Sequence, residues 1–201
     1  MLFRSFRKNK INLFSTISVN DAKSLGGGTF DSEYFNGINP STFTFEDRDY
    51  DRLRKRVFLN LGMEYYFNDE TSFTISGFTR NSDNLSNNST IIQDLDQNKE
   101  ILNEFGRFQD EEEDDISSQL TLNYTKKFNK KGHELVIEFQ TEESTEDESD
   151  YASNTNTFDQ SSMTDETQLR KLLQLDYVYP IDKDTQLELG YRGNFSNLNT
   201  D

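Results

Sequence analysis

A polar turn, preceded by an aromatic residue or a proline and followed by a run alternating apolar with polar residues, recurs along this chain. The turns read Phe6-Arg7-Lys8-Asn9-Lys10, Phe67-Asn68-Asp69-Glu70-Thr71, Phe128-Asn129-Lys130-Lys131-Gly132 and Pro180-Ile181-Asp182-Lys183-Asp184. Asn, Asp and Gly suit tight hairpin turns because they tolerate left-handed backbone conformations. Alternation with a period of two sorts side chains to opposite faces of a strand. Before the second turn Val57, Leu59, Leu61, Met63, Tyr65 and Phe67 share a face, with Asn60, Gly62 and Glu64 opposite. After it, Phe73 and Ile75 oppose Thr74 and Ser76. The third hairpin sets Ile116, Leu120, Leu122, Tyr124 and Phe128, then Leu135, Ile137 and Phe139, against Ser117, Gln119, Thr121, Asn123, Thr125, Glu134, Glu138 and Gln140. The last pairs Leu169, Leu173, Leu175, Tyr177 and Tyr179 with Leu187, Leu189, Tyr191 and Phe195. The first run, Ile11, Leu13, Ile17 and Val19, is looser, because Ser15 interrupts it and Phe14 lies opposite.

These runs predict antiparallel hairpins, seven strands in all, with Leu2, Arg4 and Phe6 as the tail of an eighth. Each hairpin is tight at one end. At the other, polar stretches from about Asp21 to Asp51, Asn81 to Asp115 and Glu142 to Glu166 read as long loops. The middle one has room for its own hairpin, Ile91–Leu95 with Ile101–Phe108 around Gln97-Asn98-Lys99, or for a short helix.

Composition decides what such strands can pack against. Only 32% of residues are apolar, 29% are charged, and the net charge is -16. A dry two-sided core needs more apolar material than that to offset chain entropy. Disorder fits no better, because aromatics reach 13% and the chain holds 2 Pro. A one-sided fold remains. The apolar runs last about 10 residues, the length a tilted strand needs to cross a bilayer. Tyr65, Tyr66, Phe67, Tyr124, Phe128, Tyr177 and Tyr179 gather before the short turns, as an aromatic girdle at a lipid–water boundary does. The other face carries Asn, Gln, Glu, Asp and Arg, suited to a watery lumen. The expectation is an all-β, antiparallel up-and-down transmembrane barrel, with short periplasmic turns and long extracellular loops. Residues 1–201 are expected to form one partial barrel domain cut at both ends, since an unclosed sheet leaves edge groups unpaired in lipid.

The segments Tyr124-Thr125-Lys126-Lys127-Phe128-Asn129-Lys130-Lys131-Gly132-His133-Glu134-Leu135 and Leu175-Asp176-Tyr177-Val178-Tyr179-Pro180-Ile181-Asp182 are similar to repeating units of a known family. The chain resembles, over nearly its whole length, the outer-membrane β-barrel domain of TonB-dependent receptor-like proteins of Bacteroidota-type bacteria. The resemblance implies a barrel of roughly 22 strands, usually with an N-terminal plug. It also implies uptake of a large nutrient, a metal chelate or a glycan, driven from the inner membrane. Expected partners are outer-membrane lipid, the remainder of the barrel and its plug, a TonB-type energy-coupling protein and a surface lipoprotein. A plug, an export signal and an energy-coupling motif are not found in these residues.

The residues nominate no catalytic, cofactor-binding or metal site, and no enzyme activity. With no Cys and one His, thiolate and imidazole clusters are excluded. Strong acidity argues against nucleic acid, whose phosphates need a basic stripe. Asp110-Glu111-Glu112-Glu113-Asp114-Asp115 and the run Glu142-Glu143 through Glu146-Asp147-Glu148 to Asp150 read as solvated loops, or as binders of divalent cations that bridge to lipopolysaccharide phosphates. Gly26-Gly27-Gly28 reads as a flexible loop tip, and His133 as an interfacial polar residue. Lys126, Lys127, Lys130 and Lys131 are placed to meet anionic head groups or plain water. Among the lumen carboxylates Glu64, Glu134, Glu138, Asp176 and Glu188, spacing singles out no acid–base pair. Two other readings stay open: a soluble or surface-anchored β-rich binding module, and a passive outer-membrane channel.

Overall fold

The alternating runs are strands, and they run much further than their apolar parts. The computed structural model describes residues 1–35, 42–155 and 159–201. It holds eight strands: β1 (Leu2–Lys8), β2 (Ile11–Tyr34), β3 (Thr42–Asn68), β4 (Thr71–Leu95), β5 (Ile101–Lys127), β6 (Glu134–Asn154), β7 (Gln160–Pro180) and β8 (Gln186–Thr200). All pair antiparallel with their sequence neighbours in one sheet ordered β1 to β8. The expected tail of an eighth strand is β1, with Leu2, Arg4 and Phe6 opposite Ile17, Ser15 and Leu13. Among the described residues the strand count is therefore eight rather than seven.

The expected long loops are a correction of a different kind. Asp21 pairs with Lys55, Asp83 with Asp114, and Glu146 with Glu166, so these polar stretches are ladder. The centres of the first and last of them, 36–41 and 156–158, lie outside the described residues. Both faces of the sheet are wet there, so hydrophobic alternation, the signal that marks a half-buried strand, vanishes while the backbone pairing continues. The middle connection is the hairpin expected around Gln97-Asn98-Lys99, and the short helix is overturned: Ile91 pairs with Gly106 and Gln93 with Glu104. At its tip one Asp96 carboxylate oxygen accepts the Asn98 and Glu100 backbone N–H groups at 2.8 and 2.9 Å, and Lys99 takes a φ of 64°. Those N–H bonds, that from Glu100 first, hold the Asp96 carboxyl below its ordinary range.

Register carries one alternation across all eight strands. Leu13, Met63, Ile75 and Leu122 fall on one face, as do Ile137, Leu175 and Tyr191. From Val57 to Tyr65 this apolar band spans about 27 Å of strand, or about 21 Å of height at a tilt near 40°. It is not covered: Leu61 is 54% exposed, Leu120 41% and Leu173 40%. Among the described residues Ala152 and Pro180 are the buried apolar side chains. The chain exposes 14161 Å², where a compact soluble protein of 23.5 kDa would expose about 9,800 Å². Among the described residues no helix is long and apolar enough to cross a membrane, a fact silent about strands.

The opposite face is polar but contains an aromatic detail that explains the looser first run. Phe14 is the cross-strand partner of Gly62, and its ring lies where a Cβ on Gly62 would stand, 2.2 Å from the nearest ring carbon. A ring laid over a cross-strand glycine covers the backbone there and pins register. Gly62→Val is expected to cost about 1–3 kcal/mol by overpacking, and Phe14→Ala in that background to recover part of the loss. Urea titration of the lipid-refolded protein measures both; an equal cost with and without the ring would refute the pairing.

Candidate functional site

At the short-turn end the aromatic girdle is assembled around the histidine. His133 stacks on Phe128 with centroids 4.0 Å apart, and meets Tyr177 and Tyr179 edge-on at 5.4 and 5.1 Å. Its Nε2 lies 2.9 Å from the Tyr177 hydroxyl. The expected interfacial residue is thus a polar member of the girdle. The neighbouring lysines divide. Lys130 donates to the Ile181 carbonyl at 3.0 Å and lies over the Tyr179 ring, while Lys126 donates to Thr71 Oγ1 at 2.9 Å and reaches Glu70 at 3.8 Å. Lys127 and Lys131 are exposed.

Four of the five lumen carboxylates find neutral company. Tyr66 donates to Glu64 at 2.5 Å, Gln140 to Glu138 at 2.7 Å, Gln174 to Asp176 at 2.7 Å, and Gln186 to Glu188. Register makes no two of them direct cross-strand partners: Glu138 faces Asn123 and Gln174, Asp176 faces Val136 and Gly190, and Glu134 faces Lys127 and Val178. No acid–base pair is assembled.

The acidic runs are the largest correction among the expected sites. Each lies on a strand, so the pleat divides it between faces. Glu111, Glu113 and Asp115 turn inward, opposite Asp150, Glu148 and Glu146. Asp114 and Asp147 turn outward, in a row with Asp83 and Asp165. Like charges directly opposite destabilise a ladder. Among the described residues no group of acidic or histidine side chains is arranged to hold a metal ion. Desolvation raises the Glu111 carboxyl above its ordinary value of 4.5, aided by Glu148, Asp150 and Glu113 and opposed by Arg52. Glu146 is raised in the same way, by desolvation first and then by Glu113, Glu166, Asp115 and Glu148.

A carboxyl whose folded pKa is raised favours the protonated fold. Stability is then greatest below about pH 4.5 and falls as pH rises through the folded value. Backbone amide exchange across 109–115 and 144–150 is expected to slow when pH drops through this window, after correction for intrinsic rates. Glu111→Gln is expected to flatten the dependence. Exchange that quickens on acidification would contradict the sign.

The remaining polar feature of the inner face is basic. Arg48, Arg52, Arg54 and Arg56 follow one another on that face of β3, with Arg80 on β4 and Arg107 on β5. Arg80 is paired with Asp115 at 3.2 Å, and Arg54 Nε donates to Asn84 at 2.9 Å. Arg48 is bonded to Glu46. The row lies in stretches expected as loops. Its signal was present: Asp47-Arg48-Asp49-Tyr50-Asp51-Arg52 alternates acid with base or aromatic, a period of two in charge. Gly26-Gly27-Gly28, expected at a loop tip, lies inside β2 opposite Tyr50, Asp49 and Arg48.

An exposed apolar band, an aromatic girdle and a polar opposite face in one continuous register are the anatomy of a membrane sheet. Residues 126–201 match the model of the outer membrane protein beta-barrel family. The match covers β6, β7 and β8, and the band continues from them unbroken to β1. The sheet is outer-membrane barrel sheet, and the outer membrane is its location. No curated protein matches the chain. Among solved structures, it is similar to the ferripyoverdine receptor of the outer membrane of Pseudomonas aeruginosa, with 11% identity and a TM-score of 0.37 over 98% of this chain and 38% of that one. It is also similar to the siderophore receptor PiuA from Acinetobacter baumannii, with 8% identity and a TM-score of 0.30 over 97% and 47%. The chain spans less than half the length of either structure. At such scores nothing is carried from them to this chain.

Proposed function

We propose that this chain is part of an outer-membrane receptor barrel that takes up a large solute with energy relayed from the inner membrane. The single observation behind the reading is the sorting of one eight-stranded sheet into an exposed apolar band and a charged, hydrogen-bonding inner face. In this reading the free edges of β1 and β8 pair with further strands, since lipid leaves no open edge. A plug and a TonB-type energy-coupling protein complete the device. A metal chelate or a glycan is the expected cargo, and a surface lipoprotein a further partner. The chain acts by binding and passage, without bond-making chemistry of its own.

A soluble binding module would need a second layer over the apolar band, and the described residues form one sheet. Spin labels at Leu59, Leu120 and Leu173 are expected to relax with lipid-soluble oxygen, and labels at Asn60, Thr121 and Gln174 with a water-soluble nickel chelate. The reverse pattern, or equal response, would sink the barrel. Planar-bilayer recording separates the remaining alternative: a plugged receptor passes no steady current, whereas a passive channel does.

A further inference from the structure

We infer that the inner face above the membrane band holds a binding site for a small polyanion, an oligosaccharide carrying carboxylates or sulfates. This deepens the receptor reading and rests on it, because the inner face meets solute in the lumen only if the apolar band faces lipid. A furrow of about 520 Å³ runs across β2 to β5, with Arg48, Arg52 and Arg107 around it. Phe30 and Tyr50 supply its aromatic surface. Two of the guanidinium groups are laid on rings, Arg48 over Phe30 at 4.5 Å and Arg52 over Tyr50 at 4.6 Å. A guanidinium stacked by its face keeps the N–H groups at its edge for an oxyanion, which it grips with a two-pronged bond.

The tyrosine ring is itself held. Tyr50 is the cross-strand partner of Gly26, and a Cβ on Gly26 would stand 2.4 Å from its ring. Glycine lets the tyrosine lie down along the sheet, and the arginine above it inherits that orientation. Such preorganisation lowers the entropic cost of binding.

The charges facing the furrow favour the same class of ligand. Arg48 is already engaged by Glu46. Arg52 and Arg107 make no ion pair among the described residues. Glu111, near Arg52, and Asp150, which accepts from Gln109 at 3.1 Å, bound the furrow on its acidic side. β3 sends Asp47 and Asp51 to the outer face and arginines to the inner one. The furrow's lining sets Arg48, Arg52 and Arg107 against Glu46 and Asp49, an excess of positive charge in a chain of net charge -16. Asn88, Thr90 and Gln109 line its floor, offering donors and acceptors that suit hydroxyl groups. Arginines fit the anionic groups of an acidic sugar, rings its apolar face, and amides its hydroxyls.

Calorimetric titration of the protein in detergent micelles tests this with trigalacturonate, a sulfated chondroitin tetrasaccharide and neutral maltotriose. At least one acidic sugar is expected to bind about tenfold or more tighter than maltotriose, and to weaken with added salt. The tighter of the two acidic probes assigns carboxylate or sulfate. Arg52→Gln and Arg107→Gln are each expected to lower that affinity about tenfold; Lys131→Gln, at the opposite end of the sheet, leaves it unchanged. Acidic sugars bound no better than maltotriose, no binding by any probe, or unchanged affinity in both arginine variants would overturn the inference. Oxygen relaxation of a label at Leu120, read on the same preparation, keeps the two failures apart. A lipid-exposed label without polyanion binding removes this site and leaves the barrel; a lipid-shielded label removes both.

Discussion

Leu61→Arg, in the protein refolded into lipid vesicles, is expected to lower stability by about 2–4 kcal/mol if the site lies near the bilayer midplane. Leu61 stands in the middle of the band between Val57 and Tyr65, with 54% of its surface open in the chain. A guanidinium there must leave water for hydrocarbon or drag head groups and water inward. Leu122→Arg, on the same face two strands away, is expected to behave alike. Asn60→Arg and Asn123→Arg reverse the geometry by one residue. Their side chains point to the inner face, beside Thr16 and Phe78 in one case and Thr74 and Glu138 in the other, where charge is hydrated. Urea unfolding in vesicles, followed by tryptophan-free spectroscopy such as circular dichroism, gives all four values. Equal costs on the two faces would remove the lipid assignment.

The 201-residue chain in detergent-free buffer is expected to show no cooperative thermal transition. A globular protein of this length absorbs roughly 140 kcal/mol on unfolding near 60 °C, so the difference is large and calorimetry reads it directly. The reason is the absence of anything to melt as a unit. Ala152 and Pro180 are the buried apolar side chains among the described residues, while Leu61, Leu120, Leu173, Leu189 and Phe195 stand exposed. A sheet one layer thick has backbone hydrogen bonds that water replaces at little net cost, and no core to bind its strands into a single unit. An endotherm of that size from the monomer would mean that the band is covered by a second layer, which defeats the membrane reading.

The two halves of each strand were unequally legible. Within the band, alternation of Leu, Met and Tyr with Asn, Gly and Glu announced strand, face and girdle together. Above it, β5 from Asp110 to Asp115 is acidic at every position, and such a run carries no period for a pattern to reveal. β3 was different: from Asp47 to Arg52 acid alternates with base or aromatic, and that period survived in a stretch that passed for a loop. The aromatic partnerships were illegible, because Phe14 meets Gly62 and Tyr50 meets Gly26 across dozens of residues, and neither residue type announces its partner.

Primary structure alone settled the strand character of the apolar runs, the short turns, the face presented to lipid and the absence of cysteine. These are local properties: a pleat with a period of two converts neighbouring residue types into opposite faces without reference to any other strand. Tertiary structure decided strand length, the eighth strand, the rows of carboxylates and the placing of Arg52 and Arg107 around one furrow. Those depend on which residue stands opposite which, and backbone hydrogen bonds between strands set that register at separations no local pattern encodes.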